Sequence, residues 1–287
     1  MDTFAPPPQN FFESPNGAGS QLPNVGKIIF RRSWQGQTID VVDEVGGTRA
    51  MYFMSRLIQS RMDPTDPLRL VLPYSRHMMA SLLLLDTGYP KTILMIGLGG
   101  GSLAKFILHH FPEARLVVVE VDEGMESLAR TFFGLPQNPR LTIHIADGAI
   151  YMHNASDARY DLILVDAFNH DGMAPTVYAR QFFMAAKKLV TPTGVIAVNM
   201  SKSEGTVYNE ISKTLKTLFP NGLLRLPVRA SRNEILLCCA RAITQTDWER
   251  GTHHAKTLEP RLSLEFGQFL GDMRRSSSPF WSRGINF

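Results

Sequence analysis

The chain is poor in cysteine, in metal-binding histidine patterns, in long apolar runs and in net charge. Its two cysteines, Cys238 and Cys239, are adjacent in the apolar run Ile235 to Ala240. Neighbouring strand residues face opposite ways, so the pair makes no structural disulfide. A disulfide-stapled secreted scaffold is excluded, and two buried thiols suit a reducing compartment. The eight histidines form no His-x-x-x-His or Cys/His pattern. His109 and His110 sit side by side at a predicted helix end and cannot chelate from one face, so no metal is expected. The longest apolar run, Met78 to Leu85 with Ser81 inside it, is too short to span a bilayer. The N-terminus lacks the basic start and apolar core of a signal peptide. A cytoplasmic protein with no membrane partner is the expectation.

The charge balance excludes another class. The formal net charge is +4, yet residues 1–224 hold twenty basic and twenty acidic side chains. The excess lies after residue 224 and lacks the interleaved aromatics of a single-strand binder, so no nucleic-acid partner is expected. With 44% hydrophobic and 20% charged residues, the 287-residue chain has an ordinary globular composition.

Residues 1–25, with Pro6-Pro7-Pro8 and Pro15-Asn16-Gly17, lack periodicity and read as disordered. Residues 26–72 alternate apolar and polar side chains around Gly46-Gly47, which predicts a small antiparallel sheet. With the gate segment described below, this unit extends over 26–80. From residue 91, strands alternate with helices predicted near Ser102–His110, Glu123–Phe133, Thr176–Leu189 and Thr206–Leu218. Later strands are expected near Val195–Val198, Leu223–Val228 and Glu234–Ala240, the last two antiparallel. Such alternation predicts an α/β fold with a mostly parallel sheet covered by helices on both faces. The main domain is placed at 81–245. In the remainder, 246–287, Leu262, Phe266, Phe269, Leu270 and Met273 share one face of a surface helix, and the end from Ser276 reads as disordered.

The most informative stretch is Ile93 to Leu103. An apolar strand, Ile93 to Ile96, runs into Gly97, Gly99, Gly100 and Gly101, and a helical pattern starts at Ser102. A glycine turn at a helix N-terminus lets a ligand approach free backbone N–H groups. The next strand, Leu116 to Val121, carries Glu120 twenty-three residues after Gly97, where an acid commonly accepts ribose hydroxyls. Leu141–Ile145 stops at Asp147-Gly148, and Tyr160–Val165 stops at Asp166. Four strands in succession thus end in a glycine loop or a carboxylate, on the edge where open α/β sheets bind ligands. No Gly-Lys-Ser/Thr follows the glycines, which excludes a P-loop, and Ser102 replaces the last glycine of a dinucleotide fingerprint. Nor is Ser102 set in a Gly-x-Ser-x-Gly elbow. The spacing suits an adenosyl-sulfonium ligand.

From about Gln37 to Ala240 the chain resembles the spermidine synthase (polyamine aminopropyltransferase) family. The resemblance rests on Gln37 with Ile39, Val41 and Val42, on the gate segments Leu57–Ser60 and Tyr74–Met79, on the glycine loop, and on Glu120, Asp147-Gly148 and Asp166. It implies a methyltransferase-like (Rossmann-like) fold and transfer of an aminopropyl group from decarboxylated S-adenosylmethionine to a polyamine such as putrescine. The products would be spermidine and methylthioadenosine. By the same resemblance Gln37, Gly97, Gly99, Gly101, Glu120, Asp147 and Gly148 bind the donor. Asp166 takes the acceptor's proton, and Tyr74, Asn169 and Asp171 contact the acceptor. The donor is a substrate, so no permanently bound cofactor is implied; the assembly expected is a homodimer.

The chain also departs from the family pattern. Gly100 stands where an acid binds the aminopropyl end, Arg76 adds positive charge at the gate, and Asn169 replaces a second substrate-loop Asp. Removing repulsion toward a carboxylate changes donor discrimination. The alternatives are therefore a methyltransferase or aminocarboxypropyltransferase using intact S-adenosylmethionine, or a non-catalytic nucleoside-binding relative. Against the methyltransferase, Met95 takes the place where many such enzymes carry an acid.

Overall fold

The computed structural model describes residues 21–22, 25–34, 36–54, 57–155, 158–169 and 172–277. Alternating patterns at the start fold as the antiparallel sheet β1 (Gln21–Leu22), β2 (Gly26–Trp34), β3 (Gln37–Glu44), β4 (Arg49–Phe53) and β5 (Leu57–Met62), in that spatial order. Gly46-Gly47 turns β3 into β4 as the sequence predicts. Gln21 and Leu22 pair with β2, so order begins inside the stretch read as disordered; residues 1–20 lie outside the described ones. The alternating pattern ends at Met62, and the gate that follows is helical. Helix α1 (Pro73–Met78) starts at a proline, which suits a first helical position, and a 3-10 turn continues it over Met79–Leu84.

The main sheet follows. Its elements are β6 (Thr92–Ile96), α2 (Ser102–His110), β7 (Arg115–Glu120), α3 (Met125–Phe133), β8 (Leu141–Ile145), α4 (Gly148–Asn154) and β9 (Tyr160–Val165). A small hairpin comes next, β10 (Phe168–Asn169) with β11 (Gly172–Met173). It leads to α5 (Arg180–Leu189), β12 (Val190–Ser201), α6 (Gly205–Leu218), β13 (Leu223–Pro227) and β14 (Asn233–Cys239). The strand order is β13-β14-β12-β9-β6-β7-β8, with β14 antiparallel to both neighbours and the other pairs parallel.

Strand periodicity divides the core. Ile93, Met95, Leu162 and Leu164 join one buried cluster, with α2, α3 and the C-terminal helices, while Leu94, Ile96, Ile163 and Val165 join the cluster under α4, α5 and α6. The sheet is thus buried on both faces, as near-continuous apolar strands require.

Two expectations change. The helix predicted from Thr176 starts at Arg180, because Ala174 to Tyr178 form a turn that buries Val177 and Tyr178. The single tail helix is two, α7 (Gln245–Leu262) and α8 (Phe266–Ser277). Ser263, with φ of 52°, ends α7 in the left-handed region, so Leu262 sits on a different helix from Phe266, Phe269, Leu270 and Met273. Ser276 and Ser277 belong to α8, and residues 278–287, also read as disordered, lie outside the described ones.

Two ties lock the small sheet to the main domain. The Arg32 guanidinium pairs with buried Asp122 after β7, and Arg49 donates to the Phe132 carbonyl at 3.1 Å. Lys105 on α2 is buried against the Phe133 carbonyl and the Met62 sulfur, its pKa lowered by desolvation to about 8. A lysine lowered from its ordinary value binds more protons unfolded than folded between about pH 8 and 10.5, so it makes stability rise with pH there. Lys105→Met is expected to lack this slope. Relative to wild type it should lose stability, on the order of 2–3 kcal/mol, as pH rises from 8 to 10.5. Thermal melts of both proteins across that range check it.

Candidate active site

β6 is laid down at the centre of the sheet; the chain builds outward through β7 and β8, then returns to add β9 on the other side of β6. The reversal leaves a crevice at the carboxyl ends of β6 and β9, where α/β sheets bind ligands. Gly97 ends β6 at this point, with φ of +94°, and a Cβ there would lie 2.3 Å from the Asp166 carbonyl. Only glycine allows the two strand ends to pass so closely. The result is a cleft of about 690 Å³.

Of the residues predicted to bind the donor, Gly97, Gly99, Glu120, Asp147 and Gly148 line this cleft. Gly101 stands behind it as the residue preceding α2, with φ of 72°. Gln37 begins β3 opposite Trp34; its side chain is not among those described. Gln59, from β5, is the glutamine that lines the cleft.

Each acid has its own setting. Buried Glu120 accepts the Leu98 N–H of the glycine loop at 2.8 Å and the Asp122 N–H at 2.9 Å, one per oxygen, leaving further lone pairs for hydroxyl donors. Burial raises its pKa, and the backbone hydrogen bonds oppose the rise. Asp147 caps α4 through the N–H groups of Ala149 and Ile150, while its second oxygen takes the Thr176 hydroxyl at 3.1 Å. Asp166 accepts from Asn199 Nδ2 at 2.8 Å and from the Tyr74 phenol. Burial raises its pKa, and both hydrogen bonds counter the effect. Tyr74 thus reaches the cleft from α1. Asn169 lies in β10 with its side chain outside those described, and Asp171 is outside the described residues.

The structure corrects the charge argument at the gate. Arg76 does not face the cleft; its guanidinium pairs with Glu265, next to α8, and donates to the Leu70 carbonyl. Nor is Gly100 an open position awaiting an acid. A Cβ there would stand 2.5 Å from Ser60 Oγ and 3.0 Å from the Phe133 ring. The wall made by Gln59, Ser60, Gly99 and Ser102 is neutral.

Several cleft residues have no counterpart among the predicted site residues. Asn199 on β12, Asn233 on β14, Ser231 and Glu204 all line it. Both Glu204 oxygens accept the Met173 N–H at 3.1 Å, tying down the hairpin that follows Asp166. Asn199 was detectable in principle, as a lone polar side chain inside the apolar run Val195 to Met200. Arg61 is the one cation among the described lining residues, and two hydrogen bonds engage it with Glu44. Five acids line the same cleft: Glu120, Asp122, Asp147, Asp166 and Glu204. Of these, Asp122 is answered by Arg32. Such an excess of carboxylate favours a cationic ligand. Among the described residues no His, Cys, Asp or Glu cluster is placed to hold a metal, and no helix is long and apolar enough to cross a membrane.

Comparison with known proteins agrees with this geometry. The family model described as the spermine/spermidine synthase domain matches residues 72–225. A polyamine aminopropyltransferase of Chromobacterium violaceum is 35% identical over 237 residues, covering 82% of this chain and 89% of the relative. The human eEF1A lysine and N-terminal methyltransferase is 34% identical over 160 residues, 52% of this chain but 23% of that longer protein. Among solved structures, human methyltransferase-like protein 13 in complex with SAH aligns with a TM-score of 0.60 and 28% identity, over 67% of this chain and 93% of that one. Since the family match takes in the gate helix, the glycine loop, Glu120, Asp147 and Asp166, the crevice between β6 and β9 is the part of the molecule it describes, and the chain belongs to the spermine/spermidine synthase family of transferases.

Proposed function

We propose that the protein transfers an aminopropyl group from decarboxylated S-adenosylmethionine to a small amine such as putrescine, releasing spermidine and methylthioadenosine. The observation that carries this reading is Asp166, held by Tyr74 and Asn199 in the cleft that Glu120 also lines. A sulfonium is already a good leaving group, so the protein's task lies with the acceptor. The amine nitrogen attacks the propyl carbon next to sulfur, and the carbon–sulfur bond breaks. Its electron pair stays on sulfur, giving a neutral thioether. The acceptor's proton passes to Asp166 and then to solvent. Holding both substrates in one cleft supplies much of the acceleration, roughly 7–11 kcal/mol in well-oriented reactions.

A specific observation favours a second reading. In the resemblance, the donor's tail lies along the glycine loop, and here the wall of Gln59, Ser60, Gly99 and Ser102 offers no acid for a terminal ammonium. A neutral wall tolerates the amino-acid end of intact S-adenosylmethionine, which would permit methyl or aminocarboxypropyl transfer. Incubation of each donor with putrescine, with chromatography of the nucleoside released, separates the two. Methylthioadenosine formed only with decarboxylated donor and amine supports aminopropyl transfer. S-adenosylhomocysteine from the intact donor replaces that reading with methyl transfer, while methylthioadenosine from the intact donor indicates aminocarboxypropyl transfer. Calorimetric binding of methylthioadenosine without turnover of either donor would leave a non-catalytic nucleoside-binding protein.

A further inference from the structure

Asn199 is almost fully buried in β12, and its amide has a donor end and an acceptor end. Which end meets Asp166 depends on what holds the other. Asn233, the first residue of β14, donates its Nδ2 to Asn199 Oδ1 at 2.9 Å. Ser231, in the turn before β14, fixes Asn233 in the same way, donating its hydroxyl to Asn233 Oδ1 at 2.7 Å. Every donor in the series points toward Asp166, ending with Asn199 Nδ2 on Asp166 Oδ1 at 2.8 Å. Reversing the Asn199 amide would set its oxygen against the carboxylate and its NH₂ against that of Asn233. Both contacts are repulsive.

We propose that Asn233 is a positioning residue: held by Ser231, it keeps the Asn199 amide oriented as a donor, so that Asp166 stays aimed into the cleft and ionised when an amine must be deprotonated. The inference deepens the reading of Asp166 as proton acceptor and rests on it. Physically, three hydrogen bonds in one direction polarise one another and favour the carboxylate at the end of the line. They oppose the desolvation that pushes Asp166 toward its neutral form. The other polar groups facing Asp166 are Tyr74 from α1 and Tyr178 from the turn before α5, the latter donating to the Asn199 carbonyl at 2.8 Å. Both phenols are raised well above their ordinary value, so neither is charged at neutral pH. Glu204, a further acid of the cleft, faces Tyr178. The relay and the Tyr74 hydroxyl are thus the two hydrogen-bonding influences on Asp166.

The test reads the Asp166 carboxyl directly, independent of turnover. Protein labelled with ¹³C at the aspartate carboxyl is titrated by NMR, with the Asp166 resonance assigned by its loss in Asp166→Asn. In Asn233→Ala the midpoint should move up by about one pH unit. Ser231→Ala should move it the same way by less, and Ser231→Thr, which keeps the hydroxyl, should restore it. If Asn233→Ala fails to fold, Ser231→Ala decides, because Ser231 is exposed in a turn. An unchanged midpoint in the folded Ala variants overturns the inference. A shifted midpoint in a protein that turns over no donor keeps the relay and refutes the proposed activity instead. Where turnover is present, the acid limb of kcat with putrescine in Asn233→Ala should move up with the carboxyl midpoint, while the high-pH plateau and the donor's KM stay unchanged.

Discussion

Asp166→Asn is expected to lower turnover by roughly 100- to 10,000-fold while leaving methylthioadenosine affinity nearly unchanged. The substitution preserves shape and removes the charge proposed to take the acceptor's proton, so loss should fall on kcat rather than on nucleoside binding. The pH dependence follows from the same group. Burial raises the Asp166 pKa above the ordinary carboxylate value, and proton acceptance requires the ionised form. Activity should therefore rise with pH through an acid limb displaced upward from that of an ordinary aspartate. In Asp166→Asn the residual rate should lack this limb. Steady-state kinetics over a range of pH, with calorimetry for nucleoside affinity, checks both. Activity at wild-type level in Asp166→Asn would remove Asp166 from the chemistry.

Glu120→Ala should weaken donor binding instead. Glu120 holds the Leu98 N–H of the glycine loop and the Asp122 N–H, with the rest of its acceptor capacity free for ribose hydroxyls. A hydrogen bond to a charged group is worth about 1.5–3 kcal/mol, so affinity should drop roughly 10- to 100-fold for one lost contact, and more if two are made. The ligand-free protein should suffer less. A carboxylate whose folded pKa is raised contributes stability below its unfolded pKa and loses that contribution as pH rises through the folded value. At neutral pH burying this carboxyl is thus a cost, and removing it offsets part of the loss of its backbone partners. In a thermal-shift titration the wild type should be stabilised by methylthioadenosine, by about 2.7 kcal/mol at one hundred times Kd. The variant should be stabilised by only about 0.4–1.4 kcal/mol at the same concentration, with an unliganded melting temperature close to wild type. An undiminished shift would mean that Glu120 does not bind the donor.

The elements nearest the cleft were the most legible, for a physical reason. Strands buried on both faces read as nearly unbroken apolar runs, so Ile93–Ile96 and Tyr160–Val165 were delimited by composition alone, as was helix Ser102–His110 after its glycine turn. Of the two C-terminal helices, α8 was legible from its apolar face and α7 was not. α7 starts at a Thr244–Asp247 capping box and carries mostly polar side chains, so apolar periodicity does not reveal it. The gate helix α1 has six residues, too few for a period to show. Arg76 illustrates the limit differently: its neighbour Tyr74 meets Asp166, while Arg76 pairs with Glu265, a residue 189 positions away. Spacing places neighbours on a helix but not what lies across from them.

By itself, the sequence determined the alternation of strands and helices, the glycine turn and the acids that end successive strands, because each depends on local pattern and chain stereochemistry. Tertiary structure alone decided which of those groups share a cleft and which are already satisfied. Asp122 and Glu120 are two residues apart and both line the crevice, yet one is engaged by Arg32 and the other by the glycine loop. The room denied to an acid at Gly100 comes from Ser60 and Phe133, and the donors aimed at Asp166 come from strands that β9 meets only through the sheet. Such partners lie tens of residues apart, and packing rather than sequence spacing brings them within hydrogen-bond range.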